Sequence, residues 1–465
     1  MPPADQLAEA VPRPGRVAEA GGLLGGWGGL SPAAMQVLRP RDPESLRDAV
    51  AQVGRAGGRP GAIPRGLGRS YGDAAQLGRG YAIDTTALKS IEIDAAAGVV
   101  TVLAGVTVGE LLATTVPAGW MVPVVPGTQH VTVGGAIASD IHGKNHEVAG
   151  TFGASVQALG LVTAAGELLE LTPADELFRA TLGGMGLTGV IAWARISLGR
   201  AASAWMSVDT ERLPDLDAVL AALVAPGGSY RVAWLDLLGR RPGRGVVTRA
   251  EHLDVEPARE HGAVTVRGRL TVPRGWPSGV LRPGVVRAFN ELRFRRAPRS
   301  SHGAVHPLGA HLFPLDVLDR WPRLYGRGGL LQYQFVVPYG SELALREVLG
   351  TLRRARVPCF LAVLKGFGAA GPAPLSFPMA GWTLAMDMPA AADGLRTALD
   401  RCDERVAGAG GRVYLTKDAR LRPEAVRAMY PRLAEWQAVR DAADPEGLWR
   451  SDLAVRTGLL DAEAR

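Results

Sequence analysis

Hydrophobic and polar positions follow helical and strand periods in turn along this chain, and the texture changes near residue 200. Over 39–57 the apolar Leu46, Val50 and Val53 recur at helical spacing behind Asp42, Pro43 and Glu44. A short acidic cap followed by proline at the first helical position suits the free N–H groups of a helix start, so this stretch is predicted to be helical. Short apolar runs bounded by turn residues follow at 60–64, 81–84 and 99–104, and each reads as a strand. A helix is expected over 108–118, capped near Thr107. Segments 156–163 and 167–171 read as a hairpin across the turn at 164–166. The first 30 residues, rich in proline, carry no period and are expected to be loose.

From about Ala201 the texture changes. Segments 206–210, 230–236 and 330–338 alternate as strands do, with helical spacing at 213–223 and 341–355 between them. The pattern implies an α+β domain to about residue 200, then a second, antiparallel sheet with helices on one face. At 465 residues the chain exceeds one ordinary core, which agrees with this division.

One stretch concentrates the candidate chemistry. Residues 126–153 read PGTQHVTVGGAIASDIHGKNHEVAGTFG. Gly127, Gly134 and Gly135 let backbone N–H groups approach a ligand, and Thr128, Thr132 and Ser139 add short hydroxyl donors. Asp140, His142, Lys144 and Asn145 then form a titratable cluster beside Gly143. Two further glycine loops flank this one, Arg65-Gly-Leu-Gly-Arg-Ser-Tyr-Gly-Asp and Gly183-Gly-Met-Gly-Leu-Thr-Gly. Glycine is abundant in this chain, so tight turns alone are the competing explanation. Three such loops within 190 residues instead favour one extended ligand, with a pyrophosphate or a ring edge suited to each cradle.

Composition narrows the classes. The chain is 47% hydrophobic and 21% charged, as soluble globular proteins are. Its net charge of +7 permits an anionic partner, yet aromatic content is 6% and no basic tract is interleaved with stacking residues, so nucleic acid is not expected. Two cysteines, Cys359 and Cys402, exclude a disulfide framework and a thiolate metal centre, and no metal is expected. No secretion signal or 18-residue apolar span is evident, so a cytoplasmic protein, soluble or peripheral to the inner face of a membrane, is expected. Of 52 basic residues only four are lysine, Lys89, Lys144, Lys365 and Lys417, leaving 52 − 4 = 48 arginines. Where arginine serves nearly every positive charge, a retained lysine points to a role for a compact ammonium whose pKa responds to burial. Lys365 and Lys417 each read as closing an apolar strand. Residues 281–302 carry six arginines around Phe289, Leu292 and Phe294; they read either as a solvated helix or as a patch that rests on an anionic membrane.

The loops at 65–73 and 126–145, together with GTFG at 150–153, LQYQF at 331–335, LSFP at 375–378, YLTKD at 414–418 and DPEGLWRSD at 444–452, resemble the polyprenyl-phosphoryl-ribose 2′-oxidases, a family of vanillyl-alcohol-oxidase-like flavoproteins. The resemblance covers nearly the whole chain from about Gly26. It implies a two-domain FAD-linked oxidase fold, with an FAD-binding domain at 31–200, a substrate domain at 201–410 and a C-terminal return to the FAD-binding domain at 411–465. It implies FAD as cofactor, held by Arg65, Gly66, Gly68, Arg69, Ser70 and Tyr71 in the first loop. In the second loop Gly127, Thr128, Thr132, Gly134, Gly135, Ser139, Ile141, His142, Gly143, Asn145 and Gly150 would contribute, with Gly189, Ile191 and Tyr414 from later segments. Several relatives attach FAD through a histidine where this chain has Arg69, so the attachment is expected to be non-covalent.

The implied reaction is oxidation of the C2 hydroxyl of a polyprenyl-phosphoryl-β-D-ribose to the 2-keto sugar. A partner NAD(P)H-dependent reductase would then complete epimerisation to an arabinose donor for cell-wall arabinan. Oxidation of a free sugar, alditol or nucleoside is the alternative. Lys417, Tyr71, His142 and Gln334 are the expected catalytic residues, with Tyr71 or His142 relaying the hydroxyl proton. Lys144, Trp234, Gln332, Gln334, Lys365, Ala385 and Lys417 are expected to hold substrate, with Lys144 and Lys365 on the phosphate. The chain departs from the family at Ala362, which is expected to remove a polar contact to sugar or phosphate. It departs again at Ala385, where many relatives carry a reactive cysteine.

Overall fold

The computed structural model describes residues 19–55, 61–239, 243–255, 263–277 and 280–460. Strand β1 (Glu19–Leu24) pairs antiparallel with β2 (Ala33–Leu38), while β4 (Tyr81–Asp84) runs parallel to β2 and to β3 (Ala62–Arg65). Helix α1 (Pro43–Arg55) buries Leu46, Ala49, Val50 and Val53 against this sheet, as its spacing predicts. Strand β1 corrects the expectation of a loose segment over 1–30, of which residues 1–18 lie outside the described residues. Leu23 is exposed, and the strand is held by backbone pairing, so no hydrophobic alternation announces it.

A second, antiparallel sheet has the order β5-β6-β10-β8-β9, from β5 (Ile91–Asp94), β6 (Val99–Leu103), β8 (Val156–Val162), β9 (Leu168–Leu171) and β10 (Val190–Ser197). Short β7 (Trp120–Met121) pairs with β11 (Gly199–Arg200). Helix α2 (Val108–Thr115) opens with a reciprocal Thr107–Glu110 capping box, and its continuation at Val116–Ala118 tightens to a 3-10 turn. The glycine-rich stretch contains two short helices, α3 (Val133–Ala138) and α4 (His146–Ala149), and α5 (Glu176–Thr181) follows β9.

The third sheet has eight strands and begins with β12 (Trp205–Leu213), β13 (Tyr230–Asp236) and β14 (Arg244–His252). Helix α6 (Leu216–Val224) is capped by Asp215, so Leu213 belongs to the preceding strand instead of the helix. After β15 (Leu270–Thr271) and α7 (Pro283–Arg296) come β16 (Ser300–Pro307) and α8 (Leu308–Leu312), so 300–302 extend as strand. Short β17 (Leu318–Asp319) pairs with β15. Then come β18 (Leu330–Pro338), α9 (Glu342–Arg354), β19 (Leu361–Phe367), β20 (Gly381–Pro389), α10 (Leu395–Gly408) and β21 (Arg412–Val413). The order is β16-β12-β14-β13-β19-β20-β18-β21. Leu345, Val348, Leu399 and Val406 of α9 and α10 pack with Tyr333, Phe335 and Leu364 of the sheet in one core.

Helices α11 (Pro423–Met429), α12 (Leu433–Ala443) and α13 (Asp452–Thr457) carry the chain back to the first sheet. Trp436 donates to the Ala180 carbonyl at 2.9 Å, the backbone of Ala62 donates to Leu448 and accepts from Arg450, and Trp449 is buried among α1, β3 and β10. Arg456 pairs with Asp73 at 2.7 Å and with Asp418 at 2.8 Å, joining α13 to two loops that meet at the site described next.

Candidate active site

A cleft lies between the glycine loops and the face of the eight-stranded sheet that α9 and α10 leave open. Its first wall is the loop after β3. Among the described residues, no acceptor within the protein takes the consecutive backbone N–H groups of 66–70, and these residues line the cleft. Gly68 sits at φ +63°, where a Cβ would meet the Arg65 guanidinium at 2.2 Å. Arg65 holds this loop by donating to the carbonyls of Ala75 and Gly25 at 2.6 and 2.8 Å. A concave row of free N–H donors is an anion cradle, so these residues fit a pyrophosphate.

The second wall is the stretch 126–142. Thr132 caps α3 and its hydroxyl packs against Gly66, where a Cβ would approach it to 2.2 Å; glycine there is what lets the two loops meet. Gly127, Thr128, Gly134, Gly135, Ser139 and Ile141 all line the cleft. So do Gly189, Ile191 and, from the loop before them, Met185 and Gly186. Tyr414 stacks on Phe377 at 4.6 Å and donates to the Ser139 carbonyl at 2.7 Å, tying the C-terminal segment to this wall. Arg69 stacks over Trp27 at 4.1 Å and donates to Leu67.

The sheet supplies the floor. Register places Val336, Thr383 and Lys365 in one cross-strand row, Gln334, Ala385 and Val363 in the next, and Gln332, Asp387 and Leu361 in a third. Because side chains alternate, Gln332 and Gln334 share the cleft face while Tyr333 turns to the far side and donates to Asp403. His142 stands over the second row. Its Nε2 lies 3.0 Å from the Gln334 amide, its Nδ1 3.0 Å from the Lys365 ammonium, and its ring edge meets Phe367 at 4.7 Å. Burial and then the Lys365 charge push the His142 pKa well below its usual value, so the imidazole is neutral.

Cations gather at this end. Burial lowers Lys365 to about 7, helped by the Lys144 and Lys417 charges. Lys417 lies 4.0 Å over the Tyr71 ring, and burial lowers it to about 8 against the opposing pull of Asp387. Asp387 accepts from Gln332 through one oxygen, and its other oxygen is buried without a partner; burial raises this carboxyl to about 7. Tyr71 is raised well above 10 by burial, so its phenol acts as a donor.

Several expectations need correction. Lys417 stands on a 3-10 turn, Leu415–Lys417, after β21, not at a strand end, and β21 neighbours β18 instead of β19. Lys365 lies inside β19, paired with Thr383. The Lys144 ammonium donates to the His311 carbonyl, away from the cleft. Gly143, Asn145 and Gly150 do not line it either. The Gly143 carbonyl accepts from Lys365, the Asn145 amide donates to Pro123, and Gly150 closes α4 at φ +67°. Trp234 extends the Gln334–Ala385–Val363 row by one strand but lies under the Arg293 guanidinium at 4.9 Å. Ala362 points to the core under α9 and α10, so it removes no contact to sugar or phosphate; Val363 and Lys365 are the cleft residues of that strand. Asp387, Trp27, Asp316 and Trp321 were missed. Asp387 was legible, being two residues on from Ala385 in an alternating strand, whereas Trp27 arrives on a turn and Trp321 at the start of a 3-10 helix, where no period marks them.

Comparison with known proteins adds one family match and three relatives. Residues 34–172 match the FAD binding domain family. The chain is 40% identical to decaprenylphosphoryl-β-D-ribose oxidase of Mycolicibacterium smegmatis over 94% of its own length and 97% of that enzyme. It is also 40% identical to an uncharacterized Streptomyces coelicolor protein from the mprA 5′ region, over 76% of this chain and all of that one. A more distant relative, alditol oxidase of a Streptomyces species, is 26% identical over 90% of this chain and 95% of that enzyme.

Proposed function

The chain belongs to the family of FAD-linked oxidases that includes decaprenylphosphoryl-β-D-ribose oxidase, and from that premise we propose that it oxidises the C2 hydroxyl of a polyprenyl-phosphoryl-β-D-ribose. It is an FAD-dependent oxidoreductase with an α+β, two-domain fold. We assign the FAD-binding role to 31–200 with the return at 411–465, and the substrate role to 201–410. The observation that carries the proposal is the meeting, at one end of a glycine-walled cleft, of Lys417 and Lys365 with Gln332, Gln334 and His142. Two ammoniums and two amides gathered at one end of the cleft suit a phosphorylated sugar better than a neutral polyol.

FAD, when bound, supplies the hydride acceptor. Lys417 donates to the reacting hydroxyl oxygen and stabilises the negative charge that builds there as the proton leaves. Gln334 orients the sugar, and Lys365 faces its phosphate. Of the two relay candidates His142 is favoured. A neutral phenol has no basic lone pair to take the proton, while the neutral imidazole, placed beside Gln334 and Lys365, does. The 2-keto product needs a hydride donor of the NAD(P)H class to finish epimerisation. No helix among the described residues is long and apolar enough to cross a membrane.

Anaerobic mixing with polyprenyl-phosphoryl ribose should bleach the flavin absorbance within seconds. Xylitol serves as the comparison, given the alditol oxidase relative. Bleaching by xylitol and not by the lipid-linked ribose would move this chain to the free-polyol reading.

A further inference from the structure

A small cluster of aromatic side chains joins the cleft to an exposed helix. Trp321 lines the cleft and meets Tyr325 at 6.4 Å; Tyr325 meets Phe360 edge-on at 6.5 Å; Phe360 stacks on Phe289 of α7 at 5.1 Å. Tyr71, beneath Lys417, and Leu330 belong to the buried part of the same cluster, separate from the main cores. Its outer end opens to solvent at Phe289, which is 42% exposed.

Helix α7 faces the protein with Val286 and Asn290. Val285, Phe289 and Leu292 recur at i, i+4 and i+7, so they share a lateral flank, and each is exposed, Val285 and Leu292 by 52% and 49%. Arg282 and Arg296 fall on that flank at its two ends. The helix is anchored elsewhere: Arg287 donates to the Leu238 carbonyl at 3.1 Å and Arg293 stacks on Trp234. Residues 281–302 hold six arginines and one acidic residue, Glu291, a net of 6 − 1 = +5. Glu291 is already neutralised by Arg244 and Arg295, each at 2.6 Å.

We propose that this flank of α7 docks on the anionic face of a lipid bilayer, with Val285, Phe289 and Leu292 at the headgroup–acyl boundary and the arginines on lipid phosphates. Charge complementarity selects the occupant, because an apolar stripe bracketed by cations matches an anionic bilayer surface. Position supports it too. The docked stripe places the outer end of the aromatic cluster at the acyl zone, so a polyprenyl chain running from the Lys417 end of the cleft toward the bilayer would follow apolar side chains. That path rests on the substrate proposed above; the docking does not.

The test is co-sedimentation of the FAD-loaded protein with vesicles of phosphatidylcholine alone or mixed with phosphatidylglycerol. The protein should partition to the mixed vesicles and be released by salt, since exposed charges are screened. Leu292→Glu and Arg296→Glu, both on the solvent side of α7, should each lower that partitioning about tenfold or more. Both variants should bleach with a detergent-dispersed short-chain substrate as the parent does, while turning over vesicle-embedded substrate more slowly. Equal binding to both vesicle types, or partitioning unchanged in both variants, overturns the docking. So does loss of binding accompanied by concentration-dependent self-association through this face. A chain that bleaches with no polyprenyl-phosphoryl sugar but still binds mixed vesicles through α7 overturns the substrate and leaves the docking standing.

Discussion

Lys417 and Asp387 decide the electrostatics of the cleft at the scale of single residues. Lys417 is a buried ammonium over a phenol ring, and among the described residues it has no hydrogen-bonded carboxylate; Asp387 opposes the effect of burial on it through space. Replacing Lys417 with Ala should leave FAD bound and slow flavin reduction at saturating substrate by about 100-fold, the cost of one positioned polar group. An unchanged rate would shift the role to His142. The protonated amine is the active form and its pKa lies at about 8, so reduction should weaken as pH rises through that value. Asp387 favours the charged lysine, so Asp387→Asn should move the alkaline fall to lower pH. Stopped-flow reduction across pH 6 to 10 checks both, and an alkaline limb that stays in place excludes the coupling.

Short elements bring these residues together, and their ties lie outside the cleft. The turn carrying Lys417, the loop ending at Asp73 and helix α13 are joined by the Arg456 guanidinium, paired to Asp73 and Asp418 at once. Asp418 is buried, so Arg456→Ala leaves a carboxylate without its cation, a change of about 3 kcal/mol or more. That variant should lose FAD faster on dilution and melt at lower temperature. Fluorescence of released flavin and a thermal melt follow the two effects, and retention of flavin at the parental rate argues that α13 does not brace the cradle. Strand alternation was readable at this scale: Gln332 and Gln334 share a face as their spacing requires. The position of Lys417 was not, because a 3-10 turn after a two-residue strand has no period.

Across the whole molecule the cleft is lined by segments distant in sequence, so a cofactor held there would couple its binding to stability. Ligand that binds only the folded state adds about 2.7 kcal/mol at a hundredfold excess over Kd. Removing FAD should therefore lower the melting temperature, and adding it back should restore it. The loop 65–73 contains no histidine and its Arg69 is stacked on Trp27, so acid precipitation should release all the flavin. Yellow colour remaining in the pellet would mean a covalent link elsewhere.

Local rules sufficed for part of this protein. The cap and apolar spacing fixed α1, the Thr107 signal fixed the start of α2, and the glycine loops marked the cleft walls, because each depends on neighbours within a few residues. Scarcity of lysine also singled out Lys365 and Lys417 as cleft residues. Which way Lys144 and Ala362 point, that β1 exists, and that Asp387 has Gln332 as its cross-strand partner were decided by tertiary structure. Each turns on which strand lies alongside and which face a helix covers: Lys144 finds a carbonyl of α8, and α9 and α10 claim the face that Ala362 shares. Those partners are separated by up to hundreds of residues, and no local period encodes them.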